Sequence, residues 1–168
     1  MEIAITYNLT DLRELAHQFP DAVLAETEMV MDIIVRRLEK SVVEKTPRGV
    51  GGQAGLAGSI FGEAVVMGQR VTGTVGTPVL YGEVIELGRR PGQTPPPIAP
   101  LIPWVRSKLG IDDAKEQRSV AFAIARKIGK SGFPGVHMFQ RAWAENEQWV
   151  QGQLSTIPHR VVMRLQEA

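Results

Sequence analysis

From Pro20 to about Lys45 the chain runs without glycine or internal proline, and Leu24, Met31, Ile34, Val35, Leu38 and Val42 recur at helical spacing. A helix of that length with one apolar stripe needs a second layer to cover it, and this requirement constrains the fold most. Glu26, Arg36, Arg37, Lys40 and Glu44 fall on the opposite face. Asp32 and Arg36, four apart, can pair for a few tenths of a kcal/mol. Pro20 suits the first helical position, and Thr46-Pro47 ends the helix because the residue before a proline is pushed out of helical backbone. A shorter helix is expected before it, with Thr10 as N-cap and Asp11 and Glu14 in the first turn.

The covering layer is sought among the β-patterned segments. Ile3, Ile5 and Tyr7 alternate in a brief edge strand over residues 2–7. Ser59–Met67 and Arg70–Thr77, separated by Gly68-Gln69, read as an antiparallel hairpin. Tyr81–Leu87 is a further short apolar segment, either a strand or a single-turn helix. Residues 88–103 hold six prolines and read as an extended surface loop. Helices follow at Ile102–Leu109, stopped by Gly110, and at Asp112–Lys130, with Val120, Ile124 and Ile128 on its stripe and Ala121 and Ala125 beside them. Ser131–Gly135 reads as a loop. Met138 opens a last helix offering Phe139, Ala142, Trp143, Val150 and Leu154 for burial, until Pro158 leaves Arg160–Ala168 as a tail. The fold class is α+β: a small antiparallel sheet packed against a long N-terminal helix and C-terminal helices, with extended loops. We read residues 1–168 as one domain with a flexible arm at about 46–58, where Gly49–Gly58 holds five glycines in ten residues.

Composition narrows the chemistry. Cysteine is absent, which excludes disulfides, thiol catalysis and Cys-ligated zinc, and His17, His137 and His159 are too dispersed for a multi-His metal site. No apolar run reaches the ~18–20 residues of a membrane span, and Met1-Glu2-Ile3-Ala4 lacks the basic and apolar regions of a signal peptide. The expectation is a soluble protein made in the cytoplasm. Net charge is +1, but residues 1–88 carry 7 Lys/Arg against 12 Asp/Glu and residues 89–168 carry 12 against 6. Either the halves neutralise each other within one fold, or an acidic surface meets a basic one on the next copy in a head-to-tail ring.

The chemical motifs fail on context. Gly49-Val50-Gly51-Gly52-Gln53-Ala54 fits the dinucleotide pattern, but a helix precedes it and a strand follows, the reverse of what seats a pyrophosphate. Gly129-Lys130-Ser131 lacks the earlier glycine of a phosphate loop, where Ile124 stands. His137 has no serine or acid at catalytic spacing, and Glu83 with Glu86 reads as a solvated pair. Arg89, Arg90, Arg106 and Lys108 near Trp104 suggest a nucleic-acid patch, though a solvated loop over a buried tryptophan explains them more simply. No enzyme and no cofactor is expected.

A series of features in fixed order carries a resemblance. Thr46-Pro47 is followed by Leu56-Ala57-Gly58-Ser59-Ile60, Val75-Gly76-Thr77, Tyr81, Val84-Ile85-Glu86-Leu87-Gly88 and Pro95-Pro96-Pro97. Then come Trp104-Val105-Arg106-Ser107-Lys108-Leu109-Gly110, Ala121-Phe122-Ala123-Ile124-Ala125-Arg126-Lys127-Ile128, Gly132, Gly135 and Met138-Phe139. Over about residues 25–145 this order resembles the tail-completion, or head–tail joining, proteins of long-tailed bacteriophages, related to minor tail protein Z. Where that family often has Asp-Thr-Gly, residues 48–54 are a longer glycine-rich stretch.

The resemblance implies a non-catalytic structural virion protein of the neck, assembled in the host cytoplasm, that completes the tail and joins it to the head as part of a ring, commonly a hexamer. Its partners would be copies of itself and neighbouring neck and tail proteins, with no membrane, and with DNA only passing through the ring lumen. Tail terminator or another minor tail protein is the alternative within this class, and a small DNA-binding module the alternative outside it. The expected subunit-interface residues are Arg48, Gly49, Gly52, Gly55 and Leu56 in the arm, Val71 and Val75 on an edge strand, and Arg89 and Arg90 in the proline-rich loop.

Overall fold

A computed structural model describes residues 1–8, 12–48 and 55–167. The chain divides into two compact units: Met1–Lys45, Ile60–Thr77 and Phe139–Ala168 form the first, Thr46–Ser59 and Pro78–Met138 the second. The class is α+β, as the periodicities require.

The first unit is organised by helix α2 (Pro20–Lys45), which has the expected bounds and follows the short α1 (Arg13–Gln18). The expected cap, Thr10, and the first-turn acid Asp11 lie outside the described residues; Leu12 stands at the start of α1 without a side-chain cap. Strands β1 (Glu2–Asn8), β2 (Phe61–Met67) and β3 (Arg70–Gly76) form an antiparallel sheet in the order β1-β3-β2. The β2–β3 hairpin closes at Gly68-Gln69 with Met67 opposite Arg70. The sheet lies close on α2: a Cβ at Gly73 would stand 2.6 Å from a Val35 methyl and 2.7 Å from Met31 Sδ, and one at Gly62 2.5 Å from Val35. Two glycines therefore set the helix–sheet distance. Val30, Met31, Ile34, Val35, Leu38 and Val42 are buried there with Ile5, Val71 and Val75. Leu24 is only half-buried, and Val23 and Thr27 fill that end of the stripe.

Helix α6 begins at Met138 and runs to Ser155; it is joined to α2 through polar contacts. Asn146, buried, accepts from Arg37 Nε at 2.8 Å and donates to Ser41 Oγ at 3.1 Å, while the Arg37 guanidinium lies 4.2 Å from the Trp149 ring centroid. The expected tail is a helix instead: α7 (Ile157–Glu167) carries Pro158 in its first turn, where a missing N–H costs nothing, and buries Ile157 and Val161.

In the second unit Tyr81–Leu87 is helical (α3). Gly88–Arg89 (β4), placed by the sequence in an extended loop, pairs with Phe133–Pro134 (β5), itself expected to be loop. Helix α4 (Leu101–Leu109) ends at Gly110, whose amide bonds Arg106 O. Helix α5 (Ala114–Ser131) starts under an Asp113 cap that accepts the Glu116 amide at 2.7 Å. Its buried stripe is Gln117, Ala121, Ala125 and Gly129; Val120, Ile124 and Ile128, the expected core stripe, are half-buried. Close backbone approach decides this: a Cβ at Gly129 would meet Gln93 O at 2.8 Å.

Candidate functional site

The sheet of the first unit offers two different faces. Gly62, Ala64 and Val66 of β2, Val71, Gly73 and Val75 of β3, and Ile3, Ile5 and Tyr7 of β1 share the face toward α2. Strand alternation puts Phe61, Glu63, Val65 and Met67 on the other face, beside Thr72 and Thr74 and then Ala4 and Thr6. Phe61, Val65 and Met67 there are 39%, 41% and 65% exposed. An edge strand with three exposed large apolar side chains and one acid is a surface on which another chain can pair or pack.

This changes the interface expected from sequence. Val71 and Val75 are not on an edge. Strand β3 is central because β1, from the start of the chain, takes its second side, and both valines are buried against α2. The exposed apolar strand is β2. Gly55 and Leu56 are also buried, with Leu56 among the apolar residues of the second unit, so neither offers surface. Arg48 is exposed, while Gly49 and Gly52, like all of residues 49–54 of the expected arm, lie outside the described residues.

Arg89 and Arg90 line an open cleft of about 770 Å³ in the second unit, with Leu87, Pro91, Ser131 and Phe133. Arg90 is exposed. Arg89 is half-buried: its Nη2 donates to Thr94 O, and its buried Nε has no partner. The walls depend on Gly88 (φ 75°) and Gly132 (φ 63°), left-handed positions where a Cβ would also strike neighbouring backbone.

The residues weighed for catalysis separate. Glu83 is exposed, but Glu86, expected in solvent, is 2% exposed because α3 turns it inward. His137 has φ 56°, its amide donates to Glu86 O at 3.1 Å, and its buried Nδ1 has no partner. Trp104, expected buried, is 38% exposed on α4. Among the described residues no group of three or more His, Asp or Glu is placed to hold a metal ion, and no helix is long and apolar enough to cross a membrane.

Two features escaped sequence reasoning. Glu26, assigned to the polar face of α2, is buried under α7, receiving Arg160 Nε at 3.1 Å and Arg164 Nη1 at 2.9 Å. Burial pushes its carboxyl up, and the hydrogen bonds from Arg164 and Arg160 more than reverse this, leaving it below its ordinary 4.5. The second is the exposed flank of α5, one residue on from the buried stripe: Arg118, Phe122, Arg126 and Lys130. Its signal was the four-residue repeat of small residues, which marks the buried side and so the flank beside it. No protein-family model, curated protein or solved structure matches this chain.

Proposed function

We propose that this chain is a structural virion protein of a phage neck, completing the tail and joining it to the head as one subunit of an oligomeric ring, without a catalytic step or a cofactor. The observation that carries this reading is the ordered series of family-like motifs from the helix ending at Thr46-Pro47 to Met138-Phe139. The exposed apolar strand β2 supports it, since a ring needs a surface on each copy that the next copy covers. Charge adds to this. The first unit holds nine Lys/Arg and thirteen Asp/Glu, the second ten and five, so head-to-tail contacts can bring opposite signs together.

Electron microscopy of the purified protein at high concentration tests the reading. Closed rings of uniform diameter with a central channel are expected. A field of single particles at every salt concentration, with no cap formed on added isolated tails, would contradict it.

A further inference from the structure

Beyond its overall excess of cations, the second unit concentrates positive charge along one exposed helix flank. From Gln117 to Ser131 helix α5 contains four basic residues and no acid. Arg118, Phe122, Arg126 and Lys130 follow one another at four-residue steps, all exposed, in a stripe rising about 6 Å per step and about 18 Å in all. Among the described residues no ion pair engages Arg118, Arg126 or Lys130. A solvated helix face ordinarily interleaves both signs, as α2 does with Asp32, Arg36, Glu39 and Lys40. This stripe instead keeps one sign and sets a 55% exposed phenyl ring within it, the Arg126 guanidinium 6.0 Å from the ring centroid.

The stripe is also firmly seated. The buried stripe beside it packs so closely that a Cβ at Gly129 would meet Gln93 O at 2.8 Å and Pro95 at 3.1 Å, and the Gly92 amide bonds Lys130 O. The cleft at the C-terminal end of α5 then presents a further cation, Arg90. Single-sign charge in a row, with an aromatic among the cations, matches a polyanion that also offers flat apolar groups. A duplex carries about one phosphate per 1.7 Å, and unpaired bases stack on exposed rings.

We infer that the exposed flank of α5, Arg118, Phe122, Arg126 and Lys130, with Arg90 at the cleft beyond its end, binds the phosphate backbone of nucleic acid. The contacts reach phosphates and ring faces, so binding is independent of base sequence. It does not depend on ring formation.

Fluorescence anisotropy of the full-length protein with a short labelled duplex and a single strand of the same length tests this. Four phosphate contacts on duplex predict that log affinity falls with log salt with a slope of about −3 to −4 between about 50 and 200 mM. The triple variant Arg118→Gln/Arg126→Gln/Lys130→Gln, at exposed positions, is expected to keep its far-ultraviolet spectrum and melting temperature. It should lose at least about tenfold in affinity, its slope falling to about −1. A charge-matched control in the first unit, Arg13→Gln/Lys40→Gln/Arg70→Gln, should bind as the unaltered protein does. Tighter binding of the single strand, lost in Phe122→Ala, would bear the inference out with stacking; duplex binding indifferent to Phe122→Ala would bear it out through phosphates alone. Absence of binding at low salt would overturn it, as would an equal loss in the control. Polyglutamate competing as well as duplex does would also overturn it and assign the surface to an acidic protein.

Discussion

The two units are built on opposite plans. Of the buried apolar residues described, seventeen lie in the first unit, around α2 and the inner sheet face, and five in the second. The second unit relies instead on close backbone approach at Gly88, Gly129 and Gly132 and on helix α5 seated by Ala121 and Ala125. Small residues bury little surface each, so hydrophobic stabilisation concentrates in the first unit. The second gains a rigid frame for a strongly basic exterior. The contrast separates two tasks: the first unit supplies most of the buried core and, on the proposed reading, an apolar strand for assembly, while the second supplies the excess of positive charge.

Mutations should register this difference in order of size. Leu38→Ala, at a fully buried position, should cost about 2–5 kcal/mol in a denaturant titration. Gly73→Val, which forces methyl groups onto Val35 and Met31, should cost about 1–3 kcal/mol or more. A loss below about 1 kcal/mol for either would break the claim that α2 and the sheet carry the stability. Next comes the Glu26 clamp. Arg160→Ala/Arg164→Ala leaves a buried carboxylate without its donors and should cost about 1–3 kcal/mol, moderated because both arginines are partly exposed. Because the folded-state value of Glu26 is lowered, the clamp's contribution is complete above pH 4.5 and is lost as pH falls below it toward the folded value. The double variant should therefore show a shallower loss of stability on acidification; an unchanged pH profile would remove Glu26 as its source.

In the second unit, Gly132→Ala places a side chain at φ 63° against the Arg89–Pro91 backbone. Amide hydrogen exchange is expected to quicken across Gly88–Arg90 while α2 stays protected. Smallest in stability, within about 0.5 kcal/mol, is Val65→Lys/Met67→Glu on β2, whose effect should instead appear in self-association.

The extent to which this was legible depended on sequence distance. Helix α2 was readable to its ends because Pro20 and Thr46-Pro47 act within a few residues, and the hairpin because Gly68-Gln69 does. Strand β3 was misplaced at an edge because its second neighbour, β1, stands at the start of the chain, some sixty residues earlier, and local patterning cannot register such a pairing. Glu26 was misjudged for the same reason: the helix that covers it lies more than a hundred residues later. The stripe of α5 failed differently. Val120–Ile124–Ile128 and Ala121–Ala125–Gly129 have the same period, and side-chain size favoured the first. The packing selected the second, since only small residues admit the backbone of residues 93–95.

The most direct test of the division of tasks is the solution mass by light scattering, over a range of concentration and salt, of the unaltered protein and of Val65→Lys/Met67→Glu. The neck reading predicts a discrete assembly, a fixed multiple of 18.4 kDa, for the first and a folded monomer for the second. An unaltered protein that remains monomeric throughout, or a β2 variant that assembles as well as its parent, would contradict the assignment of assembly to β2.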